Sequence, residues 1–171
     1  MKILVRDYDD ADHAACCKLW GELAERHAEI YEDPSIAAGD PGKYFDEYMG
    51  RADRCGTWVA ESEGRVLGFA GLLDTMGEEG VAEIEPVITF SDVRGQGIGT
   101  RLIDYVENEA KTRNFRFLTI KPVLRNEEIF LLYVRLGFDH VGSIELFKDL
   151  LPTSDRKWKQ GISVHGEELK Y

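Results

Sequence analysis

Membrane-spanning stretches, abundant cysteine and excess positive charge are all missing from this chain of 171 residues. No apolar run approaches the ~20 residues that cross a bilayer, so no membrane association is expected. Cysteine is scarce, with only Cys16, Cys17 and Cys55. An odd count with one adjacent pair argues against a disulfide framework and fits a reducing cytoplasm. No Cys/His spacing of the zinc-finger kind is present, so no metal is expected. Lysine and arginine together number 21 against 32 acidic residues, a net charge of −11. A nucleic-acid backbone would be repelled by such a surface, whereas a cationic small molecule would be drawn to it. The first residues, Met1-Lys2-Ile3-Leu4-Val5-Arg6-Asp7, carry charge within a few residues of any apolar stretch, and no secretory leader is expected. Repeats, low-complexity tracts and composition breaks are also lacking, so residues 1–171 are expected to form one domain. A hydrophobic share of 43% argues against disorder.

What the chain does have is a concentrated glycine loop, Arg94-Gly95-Gln96-Gly97-Ile98-Gly99-Thr100-Arg101. It follows a strand-like run and opens an amphipathic helix. Backbone N–H groups at the start of a helix have no partner inside it, and the helix dipole adds partial positive charge there. Glycines without Cβ let phosphate oxygens approach those amides. The loop therefore reads as a diphosphate site. It lacks the Lys-Ser/Thr of a P-loop, and Thr100 stands where a dinucleotide fingerprint requires a third small residue. A nucleotide-binding oxidoreductase is disfavoured accordingly.

Periodicity predicts strands over residues 2–6, 57–61, 65–73, 81–90, 115–120, 140–148 and 162–171. It predicts helices over the Ala14 to Ala28 stretch, around Tyr44 to Met49, after the glycine loop, and over 127–136, where Gly137 stops the last one. Residues 152–160 read as a polar loop. The glycine-loop helix presents Ile98, Leu102, Ile103, Val106 and Ala110 on one face. This order gives an α+β, mixed α/β fold, antiparallel at first, with a right-handed crossover around that helix.

Two motifs carry a family resemblance. Arg94-x-x-Gly97-x-Gly99 resembles the acyl-CoA signature of the GNAT superfamily of N-acetyltransferases. Asn126-Glu127-Glu128-Ile129-Phe130-Leu131-Leu132-Tyr133-Val134-Arg135-Leu136-Gly137-Phe138 is similar to that family's second element, with Ile129 in place of the usual alanine. Their order and separation are also family-like. The resemblance implies one GNAT-like domain with a central, mostly antiparallel sheet of about six to seven strands and about four flanking helices. It implies acetyl-CoA as cosubstrate and an enzyme that moves the acetyl group to a primary amine by direct attack in a ternary complex.

The residues then take expected roles. Gly95, Gln96, Gly97, Ile98, Gly99 and Thr100 would offer amides to the diphosphate. Arg94 and Arg101 would meet phosphate charge or simply be solvated. By resemblance, Val87, Ile88 and Thr89 form the strand edge that pairs with the pantetheine arm, and an amide near Ile88 stabilises the oxyanion. Asn126 would contact the arm, cap the next helix, or both. Tyr133 would be the general acid that releases the thiolate, the alternative being an ordinary core aromatic. Glu85, and next Glu83, share one strand face and would serve as general base, or merely face solvent. His27 and Tyr31 would line the acceptor pocket, with His27 a further candidate base. The acceptor is expected to be a small cationic amine, with a protein N-terminus or lysine as the alternative. A non-catalytic acyl-CoA sensor is the rival class. A homodimer, with a contribution from residues 150–171, is expected from the resemblance.

Overall fold

A computed structural model describes residues 2–75, 80–148, 150 and 158–171. The central sheet has five strands in the order β1 (Leu4–Asp7), β2 (Arg54–Ser62), β3 (Arg65–Asp74), β4 (Val81–Thr89) and β5 (Phe117–Thr119). All neighbours are antiparallel except β4 and β5, which run parallel. Helix α1 (His13–Tyr31) and the short α2 (Tyr44–Met49) fall between β1 and β2. The crossover from β4 to β5 is α3 (Ile98–Thr112), and α4 (Glu127–Arg135) follows β5. The mixed α/β class is as the sequence pattern indicates.

The side chains of β3 divide between two cores, and a register shift against β2 between Val66 and Gly68 changes the phase of their alternation. Leu67, Ala70 and Leu72 pack with Ile98, Leu102, Ile103 and Val106 of α3. Val66, Phe69 and Leu73 pack with Cys16 and Leu19 of α1 and with Phe45 and Tyr48 of α2. One sheet thus separates two helical layers, and the apolar faces of α1 and α3 are buried against it.

Strand β4 breaks this pattern in one place. Ala70 pairs with Val87 and Leu72 with Ile84, so Glu85 and Pro86 both face Gly71. That is a β-bulge, and it reverses the phase of the strand. Before it, Ala82 and Ile84 point to the α3 side; after it, Ile88 points to the α1 side. Gly71 is required here, because a Cβ would lie 1.9 Å from the Tyr48 hydroxyl and 2.5 Å from the Glu85 carbonyl oxygen.

Among the described residues, the sheet holds fewer strands than the expected six to seven. Residues 140–148 form no strand, and Val141, Leu146 and Phe147 are 80%, 73% and 62% exposed. The segment alternates apolar residues, but β5 is only three residues long and offers it little edge to pair with. The expected last strand divides instead into a separate hairpin, β6 (Gln160–Val164) and β7 (Glu167–Lys170). His165 and Gly166 turn the chain at positive φ (52° and 85°), the geometry of a tight hairpin turn. Most of the expected 152–160 loop lies outside the described residues.

Candidate active site

The parallel pairing of β4 with β5 covers only Val81, Ala82 and Glu83. Beyond Glu83, the outer edge of β4 has no strand partner among the described residues. The orientation of its peptide groups follows from alternation. Phe90 donates its N–H to Leu67 of β3, so Ile88, two residues back, also faces β3. The Ile88 carbonyl does point that way, 2.4 Å from where a Cβ on Gly68 would sit. The outward-facing backbone groups are therefore those of Val87 and Thr89. Ile88 contributes a buried side chain instead, which refines the sequence expectation of an amide near that residue.

The glycine loop follows this open edge. Gly95 and Gly97 have φ of 75° and 76°, a region costly for residues with a Cβ, and Gly97 is the N-cap of α3. It offers no side chain to cap the helix. The first intrahelical bond runs from Arg101 N–H to the Gly97 carbonyl at 3.1 Å. Among the described residues, the N–H groups from Gly95 to Thr100 have no hydrogen-bond partner. A Cβ on Gly95 or Gly97 would meet open space, and one on Gly99 would lie 4.0 Å from Thr89 Cγ2. The unpartnered amides thus border the unpaired edge. Arg94, Gln96 and Arg101 are exposed around them, and neither arginine forms an ion pair among the described residues.

Glu83 and Glu85 both act on Arg51 and Lys121, but their environments differ. The Glu83 side chain is only 7% exposed and accepts a hydrogen bond from Lys121 Nζ at 2.6 Å. Hydrogen bonding to Glu83 holds the Lys121 ammonium above its usual range. Glu85 sits in the bulge, half-exposed, with Arg51 Nη1 at 3.9 Å. Arg51 is shared with Asp53. Glu85 is therefore the more accessible carboxylate, and Glu83 is committed to an ion pair.

Asn126 caps α4, its side-chain oxygen accepting from Ile129 N–H at 3.5 Å. The cap uses that oxygen and leaves the NH₂ group for another partner. Tyr133 packs edge-on to Phe138, with ring centroids 6.2 Å apart. Burial pushes its phenol up to about 12, so the hydroxyl keeps its proton at neutral pH. Among the described residues, that hydroxyl has no hydrogen-bond partner.

His27 and Tyr31 stack edge-on at 6.4 Å along the second half of α1. Burial lowers the His27 pKa, which favours the neutral imidazole able to accept a proton. The Arg125 guanidinium lies 5.0 Å over the Tyr31 ring. Arg125 precedes Asn126, so this contact joins the expected acceptor residues to the start of α4. Arg125 also donates to the Tyr171 carbonyl at 2.9 Å.

Lys121, Arg51 and Arg125 were not singled out from the sequence. Each is a lone basic residue outside any motif, and only folding gives it a partner. The bulge did leave a signal, because a proline within a central strand pattern marks a break in the ladder.

The model of the acetyltransferase (GNAT) family matches residues 14–138. The uncharacterized N-acetyltransferase MJ1207 of Methanocaldococcus jannaschii is 30% identical over 101 residues, covering 57% of this chain and 45% of that one. The chain spans about half the length of the curated relatives it matches. A putative acetyl transferase from Pyrococcus furiosus shares the fold with a TM-score of 0.70 at 18% identity, covering 87% of this chain and 100% of the other. The ribosomal-protein-alanine N-acetyltransferase from Brucella melitensis superposes with a TM-score of 0.63 at 25% identity, covering 78% and 83%. A family model that spans most of the chain, over a sheet whose open edge meets a ring of unpartnered amides, settles the affiliation: the chain belongs to the acetyltransferase (GNAT) family.

Proposed function

We propose that this protein moves an acetyl group from acetyl-CoA to a primary amine by direct attack in a ternary complex. One observation carries the reading. The N–H groups from Gly95 to Thr100 have no partner among the described residues and stand beside an unpaired strand edge. Such amides at a helix start suit a diphosphate, and an open edge suits an amide-bearing arm. Glycines without Cβ keep that cradle open.

In this reading, Gly95, Gln96, Gly97, Ile98, Gly99 and Thr100 hold the diphosphate, with Arg94 and Arg101 adding charge. Val87 and Thr89 pair with the pantetheine through the backbone, and the Asn126 NH₂ group reaches the same arm. The coenzyme supplies an activated thioester. An outward amide of β4 stabilises the charge that develops on its oxygen, an effect often worth ~3 kcal/mol. Tyr133 donates a hydrogen bond to the departing sulfur. A thiol titrates near 8.5, well below this phenol, so the sulfur leaves as a thiolate that the phenol stabilises while keeping most of its own proton. Glu85 takes the proton of the amine, directly or through water, and His27 stands on the acceptor side with Tyr31.

The acceptor is a small cationic amine, favoured by the net charge of −11. A protein N-terminus or lysine is the second reading, in line with the likeness to the ribosomal-protein-alanine N-acetyltransferase of Brucella melitensis. One domain over 1–171, a cytoplasmic location and a homodimer complete the proposal. Free cysteines support the location. Exposed Phe117, Leu131 and Val134 support self-association.

The test is a panel of polyamines, aminoglycoside-like amines and short peptides with acetyl-CoA, read as free thiol released. Thiol release with the small cations is expected. Coenzyme binding without release on any amine would replace the enzyme with a sensor.

A further inference from the structure

The face of the molecule opposite the α3 layer carries a second cluster of reactive side chains. His13 and Cys17 lie one helical turn apart on α1, and Asp46 comes from α2. His13 Nε2 is 2.7 Å from Asp46 Oδ1. Cys17 Sγ is 3.8 Å from His13 Nδ1 and 3.7 Å from Nε2. One ligand atom from each residue falls within 4.8 Å of the others. We propose that His13, Cys17 and Asp46 bind a thiophilic divalent cation of the zinc type, tying the first turn of α1 to α2.

The donor set fits. Imidazole nitrogen, thiolate sulfur and carboxylate oxygen are the three side-chain ligands zinc takes. Bonds of about 2.0–2.3 Å in a tetrahedron separate neighbouring ligand atoms by roughly 3.3–3.6 Å. The sulfur–nitrogen distance already approaches that value, and the half-exposed His13 ring has to turn so that a nitrogen lone pair meets the ion between it and the sulfur. The nitrogen–oxygen distance is the shorter one and has to widen. Asp46, at 63% side-chain exposure, is free to turn outward and allow it. The fourth position faces solvent and would hold water.

Local charge favours a cation as well. The carboxylates of Asp46 and Asp40 both act on Cys17 and place negative charge around it. Carboxylates that disfavour a thiolate attract a metal ion, and the ion in turn favours the thiolate. On binding, the Cys17 thiol loses its proton to solvent, and the His13 ring coordinates in its neutral form. Asp40 stays outside the ligand set, because its carboxylate accepts from Gly42 N–H at 3.2 Å.

A nucleophilic Cys-His-Asp triad fits the same residues less well. The sulfur is nearly equidistant from both ring nitrogens, so it lies over the ring and not along a nitrogen lone pair. The raised thiol also opposes activation. From sequence, a lone His-x-x-x-Cys gives no zinc signal, and the third ligand arrives only through the fold.

The test uses the full chain, kept reduced with a phosphine, and titrates Co²⁺ as a spectroscopic stand-in for Zn²⁺. One equivalent should produce a thiolate-to-cobalt charge-transfer band, and Zn²⁺ should abolish it by displacement. Cys17→Ser should lose the band, whereas Cys55→Ser should keep it. His13→Ala and Asp46→Ala should each weaken binding by about tenfold or more. These side chains are partly or largely exposed, so metal-free melting of the variants checks that each still folds. No thiolate band in the wild type, a band that survives Cys17→Ser, or one that disappears with Cys55→Ser would overturn the assignment.

Discussion

Replacing Gly97 by alanine separates the loop's role in folding from its role in binding. Gly97 has φ of 76°, and a Cβ there would touch no protein atom within 4 Å. The backbone cost of a left-handed alanine is about 1–2 kcal/mol. For a domain of this size, that lowers the melting temperature by roughly 2–8 °C. Gly64, in the turn between β2 and β3, has nearly the same φ, 77°, and equally open surroundings. Gly64→Ala should therefore carry a similar stability penalty, and only Gly97→Ala should affect the coenzyme. A hydrogen bond to a charged group contributes about 1.5–3 kcal/mol, so a methyl that pushes phosphate off one amide weakens CoA binding roughly ten- to hundredfold. Calorimetric titration of both variants with CoA, alongside thermal melts, gives the comparison. Wild-type affinity in Gly97→Ala would refute the cradle. Equal weakening in Gly64→Ala would show that general destabilisation, not the loop, sets affinity.

Other perturbations probe separate parts of the account. Tyr133→Phe removes a hydroxyl without a hydrogen-bond partner among the described residues, so stability and CoA affinity should change little while turnover falls about 10²-fold or more; unchanged turnover removes the acid role. Gly71→Ala forces a Cβ against the Tyr48 hydroxyl and the Glu85 carbonyl and should cost about 1–3 kcal/mol by urea unfolding; wild-type stability would mean that the bulge is not as described. Burial pushes the Tyr48 phenol up to about 12, against 10 when unfolded. The unfolded chain then loses its proton first as pH rises, so the Tyr48 contribution is present below pH 10 and lost on the way to 12. At about 1.36 kcal/mol per unit this amounts to roughly 2–3 kcal/mol, and Tyr48→Phe should flatten the alkaline limb of a stability–pH curve. An unaltered limb would assign it to other groups.

The strands and helices bearing the two motifs were legible because their patterns are local. Ile98, Leu102, Ile103, Val106 and Ala110 repeat at helical spacing, and all five are buried. The Asn126 cap and the Gly137 stop bracket α4 as their residue types suggest. The bulge was harder to read, because Pro86 marks a break in β4 while the shift itself is a mismatch between β3 and β4. A single strand's alternation does not reveal its partner's register. The 140–148 segment has strand-like alternation, yet pairing needs an edge long enough to receive it. The His165-Gly166 turn was missed because His-Gly is a weaker hairpin signal than Asn-Gly. At the candidate site, residue types pointed to the glycine loop whose amides the fold leaves unpartnered, while the difference between Glu83 and Glu85 came from Lys121, 38 positions beyond Glu83 in the chain.

Amide resonances followed by NMR during a CoA titration test the central claim most directly. The largest shifts should fall on the N–H groups from Gly95 to Thr100, with Val87 and Thr89 moving alongside them. Saturation by CoA with those amides unmoved, and the shifts gathered elsewhere, would contradict it.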